Sequence, residues 1–171
     1  DLGFSVVALS SEKIDFAKAR RNGFNIIESE AYLNHQVDFE KNSELFSKNL
    51  IKFLEYGKNL TGVKLMQSKS YIREIKVEFN HLLDKCDVIF LPTTPQKPFT
   101  FGQKDDTQAD LTCVSNLIES PSVSVPVGFS EDKLPIAVQF IGKKYEDFKM
   151  LKISEELEKK LNYNMKVSNL L

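Results

Sequence analysis

With 171 residues the chain is long enough for one domain built on a single core. Its 23 Lys and Arg against 24 Asp and Glu give a net charge of -1, which argues against the concentrated basic field of a dedicated nucleic-acid or membrane-surface protein. No apolar run approaches the ~20 residues that cross a bilayer, and residues 1–10 lack the basic n-region of a secretory signal, so the expected location is the cytoplasm.

Residues 3–9, GFSVVAL, predict a β-strand close to the first residue, without the polar tail that commonly precedes a free domain. This leads to the expectation that residue 1 is not a native start. Ser10 and Ser11 are candidate helix caps, because a serine hydroxyl accepts from the unpaired amides of a first turn. The helix they open is expected to be punctuated at Gly23 and to resume through Ile26, Ile27, Ala31 and Leu33. A second amphipathic segment carries Phe46, Leu50, Phe53 and Leu54, with Gly57 as its expected C-terminal stop and residues 58–62 as loop. Ile72, Ile75, Phe79, Leu82 and Cys86 recur every three or four residues and predict a helix over 68–84. Residues 87–91, DVIFL, predict a strand buried on both faces and ended by Pro92 and Pro95. Polar residues 96–110 form a long loop over the surface or over a site. Residues 122–127 and 135–141 then predict an antiparallel hairpin, a helix follows over 147–161, and residues 162–171 are a loosely held tail. Helix leading into strand makes the expected class α/β.

Several chemistries lack their residues. His35 and His81 lie in different elements with no CxxC or HExxH spacing, which leaves no zinc site. The seven glycines are scattered singly, so no loop can bring backbone amides onto a phosphate. No GxSxG pentapeptide occurs. Ser10 and Lys13 form an SxxK pattern, but it sits where a helix cap is expected, and the cap is the simpler account. His81, on a charged helix, fits a solvated surface position, and the run Glu155, Glu156, Glu158, Lys159, Lys160 fits a solvated helical face. Cys86 and Cys113 stand apart and fit free thiols in a reducing compartment.

From Asp84 onward the order of motifs is informative. DKCDVIFLPTTPQKPF, then DLTCVSNLIESPSVSVPVG, then LPIAVQFIGKKYED resembles the C-terminal half of the amidase-signature family, which includes bacterial amidases and the A subunit of the glutamyl-tRNA(Gln) amidotransferase. The resemblance covers roughly residues 1–160 and is strongest over 87–147. It implies that the fold is the C-terminal portion of the amidase-signature fold, a mixed sheet covered by helices, with residues 1–171 as a single domain. The reaction it implies is acyl transfer from a carboxamide to water through an acyl-serine, without metal or organic cofactor.

The family's two serines and lysine belong to a Gly/Ser-rich region upstream of the matched part, and this chain has no GGSSG-like run and no corresponding lysine. Without them a nucleophile lacks its base and an oxyanion its donors, so no catalytic residue is assigned and the chain alone is expected to be inactive. The family's C-terminal half does help shape the substrate pocket, which by resemblance points to Thr93, Thr94, Asp110 and Thr112. Each also has a local account: the threonines sit between prolines, where hydroxyls bond turn backbone, and Asp110 can cap a loop end. Where the amidotransferase relatives place an Asp three residues before the Thr, this chain has Ala109, and the family's Ala-Gly after Asn-Leu is Ile118-Glu119. The expected partner is a chain carrying the catalytic half, or a second copy joined through the cut edge, with a small amide or glutamine as substrate of the intact enzyme only. The rivals are a non-catalytic remnant that folds alone or pairs with a separate chain, and an unrelated binding domain. The second rival is favoured if the PTTP loop and the Asn-Leu segment lie on opposite faces.

Overall fold

The structure is a computed structural model and describes residues 3–103 and 105–161. Five helices and three strands follow one another as α1 (Phe16–Asn42), a 3-10 turn (Ser43–Leu45), α2 (Lys48–Asn59), α3 (Gly62–Leu83), β1 (Ile89–Pro92), α4 (Cys113–Leu117), β2 (Ser122–Phe129), β3 (Pro135–Ile141) and α5 (Asp147–Leu161). The predicted tail over 162–171 lies outside the described residues.

The sheet has the order β1-β3-β2, with both ladders antiparallel. Alternation along the strands gives it two unlike faces. Ile89 and Ile141 point into a core shared with Ala19 of α1, Ile75, Phe79 and Leu83 of α3, and Val114 of α4. On the opposite face Val125 and Phe140 pack under Met150 and Leu157 of α5. Helices therefore cover a small sheet on both sides, in keeping with the α/β class, and the two cores follow from the period-2 pattern of PIAVQFI set against the period-3.6 patterns of α3 and α5.

α3, the hairpin and α5 stand where the hydrophobic periods put them; α5 spans the predicted residues and α3 begins six residues earlier. Other expectations are corrected. Residues 4–9 form no strand, because no other segment of the described chain pairs with them. The cap of α1 is Asp15, whose Oδ1 accepts from Lys18 N at 2.8 Å. Ser11 instead donates to Glu78 Oε1 at 2.7 Å and holds the preceding coil against α3.

α1 runs straight through Gly23, and α2 runs through Gly57 to Asn59. Neither glycine stops its helix; both permit close approach. A Cβ at Gly23 would lie 2.8 Å from Leu117 Cδ2, and one at Gly57 would lie 2.0 Å from the Glu28 carbonyl oxygen. The α1/α2/α3 contact then closes on a polar triad in which buried Asn25 donates from Nδ2 to buried Ser68 Oγ at 2.8 Å and the half-exposed Tyr56 donates from OH to Asn25 Oδ1 at 3.1 Å. Buried polar groups without partners are costly, so the triad fixes the registry of the three helices.

β1 is not buried on both faces. It is an edge strand, and Phe90 is 55% exposed. The short helix α4 has no counterpart among the predicted elements; five residues are too few to show a period.

Candidate functional site

The C-terminal end of β1 and the segment leading into α4 meet on one side chain, Gln139. It lies in the middle of β3, in register with Leu91 of β1 and Ser124 of β2, and is 2% exposed. An amide so placed must find partners. Its Nε2 donates to Pro92 O at 3.3 Å and to Leu111 O at 3.1 Å. Those two carbonyls belong to Pro92, just before Thr93 and Thr94, and to Leu111, between Asp110 and Thr112, so the PTTP loop and the residues entering the Asn116-Leu117 helix lie at one end of the sheet. The unrelated binding domain, which opposite faces would have favoured, does not gain that support.

Thr93 prolongs the ladder, its N–H donating to Ala137 O at 3.0 Å. Its hydroxyl and that of Ser124 lie 2.7 Å apart across β3. One hydrogen serves that bond, so the second hydroxyl hydrogen and the remaining lone pairs stay available to a ligand. Thr94 Oγ1 donates to Gln96 O at 2.7 Å, the local turn bond anticipated for a threonine between prolines. In the loop beyond, Thr107 Oγ1 donates to Asp105 Oδ1 at 2.6 Å and lies 3.2 Å from Gln96 Oε1. Asp110 is 8% exposed and takes Arg20 Nε on Oδ1 at 2.5 Å. Thr112 flanks α4 without capping it through its side chain. Its carbonyl accepts from Ser115 Oγ at 3.2 Å, and Ser115 Oγ accepts from Ser122 Oγ at 3.0 Å. Among the described residues the two halves of the predicted set are joined through Gln139 rather than by direct contact between the four residues.

The charges are arranged to cancel. Arg20 reaches from α1 to neutralise Asp110 and lies 5.8 Å from the Phe24 ring centroid. Next to them the Cys113 thiol is pushed up to about 11, first by burial and then by the Asp110 charge. It is protonated at neutral pH and is a poor nucleophile there. Lys13 does not serve Ser10: its Nζ lies 3.2 Å from Glu78 Oε2, and hydrogen bonds from Ser11 and then Lys13 hold the Glu78 carboxyl below its usual range. His81 is exposed on α3, as anticipated, and lines a shallow groove of about 390 Å³ with Lys13, Tyr71 and Glu78. That groove shares no residue with the β1 end. Among the described residues no group of three His, Cys, Asp or Glu side chains is placed to hold a metal ion, and no helix is long and apolar enough to cross a membrane.

Three residues that build this end, Arg20, Ser124 and Gln139, are absent from the sequence-derived set. Gln139 carries a signal, a lone amide inside the apolar run PIAVQFI. Arg20 carries none, because its partner is 90 residues away. Glu119 shows what replaces the family's glycine. Its φ is +58°, in the left-handed region, and its carboxylate bridges Lys76 Nζ at 2.9 Å and Lys144 Nζ at 2.6 Å. Those hydrogen bonds, Lys144 before Lys76, pull its pKa down to about 2.

Comparison with known proteins places this geometry. The family model described as Amidase matches residues 3–151. Among curated relatives, the A subunit of glutamyl-tRNA(Gln) amidotransferase from Syntrophus aciditrophicus is 36% identical over 91 residues, 50% of this chain. The protein of the same name from Borreliella burgdorferi is 29% identical over 139 residues, 74% of this chain. The matched stretches span only 19% and 29% of those relatives' own lengths. A solved structure described as an amidase superposes with a TM-score of 0.77 at 22% identity, covering 83% of this chain and 35% of that one, a likeness of fold.

Proposed function

The chain belongs to the amidase family, and from that membership we propose that it supplies part of the substrate pocket, but not the nucleophile, of a hydrolase acting on carboxamide C–N bonds, similar to the amidotransferase relatives. The observation that carries this reading is the meeting of the Thr93 and Asp110 segments on Gln139. In it, the Thr93 and Ser124 hydroxyls bind the polar part of an amide substrate. The Arg20–Asp110 pair holds the loop before α4 in place, and Thr94 and Thr112 shape the backbone on either side. The attacking serine, its partner serine and the lysine come from sequence outside residues 1–171, and residues 1–171 act as one domain beside it, in the cytoplasm.

The support is chemical. An acyl transfer needs an activated nucleophile and donors facing the developing oxyanion. Among the described residues the Thr93 and Ser124 hydroxyls have no basic side chain as a hydrogen-bond partner, the Cys113 thiol is held protonated, and Lys13, away from this end, is engaged by Glu78. A pocket wall is what these residues can form. The exposed apolar side chains Val6, Val7 and Phe90 favour one second reading, a non-catalytic module that binds a separate chain.

Ammonia release from glutamine, asparagine and benzamide tests the proposal, measured for this chain alone and for the chain mixed with the N-terminal half of a family relative. Release only from the mixture supports the pocket reading. Release by the chain alone refutes the absence of a nucleophile, and silence in both favours the binding module.

A further inference from the structure

The Gln139 side chain ties two segments together with only half of its amide. It is 2% exposed, and Nε2 donates to Pro92 O at 3.3 Å and to Leu111 O at 3.1 Å. Both partners are carbonyls, so the nitrogen has to face them and the amide cannot be turned end for end. The two bonds fix the amide plane and with it the place of Oε1. Among the described residues no group donates to that oxygen. A buried carbonyl oxygen without a donor is costly, and such atoms are rare. Among the described side chains only Glu146 Oε2 is both closed off from water and without a hydrogen-bond partner. Gln139 Oε1 is therefore not sealed, and it meets a narrow opening in an otherwise buried residue.

Other unused polar groups stand beside it. Ser124 is the register partner of Gln139 on β2, so the two side chains share a face, with Cβ atoms about 5 Å apart. Thr93 reaches the same face, since its Oγ1 lies 2.7 Å from Ser124 Oγ across β3. One hydrogen serves that contact, and lone pairs on both hydroxyls are left over. Asp110 adds no free charge, because Arg20 is buried against it. The groups left to answer a ligand are thus neutral, and the fixed one, Oε1, can only accept. A neutral N–H donor completes them.

We propose that Gln139 Oε1 and the Thr93–Ser124 hydroxyls form a binding site for the NH2 group of a neutral primary carboxamide, with Gln139 as the residue that sets its selectivity. The proposal rests on the reading of this end of the sheet as a pocket wall. An NH2 group has two hydrogens to place. One goes to Gln139 Oε1 and the other to a hydroxyl lone pair, which leaves the carbonyl oxygen of the ligand free to face donors supplied from elsewhere. An ester or a fully N-substituted amide keeps the carbonyl and has no N–H, so it leaves Oε1 unanswered. A site built to pair a polar group rejects the analogue that lacks it more strongly than an apolar pocket rejects a change of size. Gln139 positions the two segments through Nε2 and reads the ligand through Oε1.

The test is a nuclear magnetic resonance titration with the glutamine side-chain carbonyls isotope-labelled, on the full chain and on its single-chain fusion to the N-terminal half of a family relative. The ligands are propionamide, methyl propionate and N,N-dimethylpropionamide, of which only the first carries N–H. Propionamide is expected to move the Gln139 carbonyl resonance downfield, the direction of a hydrogen bond accepted at Oε1, and to bind about tenfold or more tightly than the other two. Gln139→Met is expected to weaken propionamide to the level of methyl propionate and to leave methyl propionate unchanged, whereas a purely structural role weakens all three alike. If that variant does not fold, the carbonyl shift and the ligand order in the parent decide. An unmoved Gln139 resonance in both proteins, equal affinity for the three ligands, or equal weakening of all three by Gln139→Met overturns the proposal. So does the absence of binding in both proteins. Amide-selective binding without ammonia release keeps the site and sinks the hydrolase reading, while release with an unmoved Gln139 resonance does the reverse.

Discussion

Removing the Arg20 guanidinium tests whether the loop before α4 is held by charge. The two side chains keep only 15% and 12% of their exposure, and Nε lies 2.5 Å from Oδ1. Taking one partner from a fully buried pair costs about 3–5 kcal/mol, because the other charge stays desolvated and unmatched. Some water reaches this pair, so Arg20→Met is expected to cost somewhat less, about 2–4 kcal/mol. With a urea slope of about 2 kcal/mol per molar, the unfolding midpoint falls by roughly 1–2 M. Arg20→Met/Asp110→Leu removes both charges and leaves none stranded, and it is expected within about 1 kcal/mol of the parent. Urea unfolding followed by far-ultraviolet circular dichroism on the parent, both single variants and the double variant completes the cycle. If Arg20→Met shifts the midpoint by less than the scatter of replicate curves, or if the two single losses simply add in the double variant, the pair does not hold the loop.

Gly57→Ala is expected to destabilise by about 2 kcal/mol or more, since the new methyl meets backbone at 2.0 Å and the helices must part, outweighing a propensity gain of about 1 kcal/mol. Gly62→Ala, with nothing within 4 Å, is expected to be neutral or stabilising by about 0.5 kcal/mol, and thermal melts of the two variants should therefore move in different directions or by plainly different amounts. The Glu119 carboxyl lies at about 2 against its ordinary value of 4.5, so between those values the unfolded chain binds a proton that the folded chain does not. Stability from this group is present above about 4.5 and is lost as the pH falls through about 2; Glu119→Gln should flatten that part of an acid-unfolding profile, and an unchanged slope would count against the two-lysine clamp. In the folded protein at about pH 8, iodoacetamide should modify Cys113 far more slowly than the same thiol in denaturant, because burial holds it protonated; equal rates by mass spectrometry would contradict the packing.

The elements legible in the sequence are those whose partners do not need to be known. α3 and α5 carry their own period, and the β2–β3 hairpin joins neighbours through a turn of five residues, so local pattern is enough. The failures share a long-range cause. Gly23 and Gly57 look like helix stops in isolation, and only Leu117 and the backbone of Glu28 make them crossing points. Residues 4–9 have strand composition, but a ladder needs a neighbour that the described chain lacks. β1 looks doubly buried in sequence because VIF is uniformly apolar, and the bare side of Phe90 becomes visible only once α5 is seen to lie over β2.

At the candidate site the same division holds between residue choice and residue role. Motif order points to Thr93, Thr94, Asp110 and Thr112, yet what each does depends on contacts with α1, β2 and β3: Arg20 for Asp110, Ser124 for Thr93 and Gln139 for both segments. Glu119 carries the point furthest. Replacement of the family's glycine suggests a changed backbone and a relaxed pocket, since a side chain there resists the left-handed conformation. The Glu119 backbone lies in that left-handed conformation, at the cost any Cβ incurs there, and its carboxylate ties α3 to the turn after β3 through Lys76 and Lys144. A substitution that looks like a loss in a motif is thus accommodated by cations supplied from two other elements. On this account Glu119→Ala is the harmful change, because it keeps the side-chain penalty and discards the lysine contacts, whereas a return to glycine removes both together.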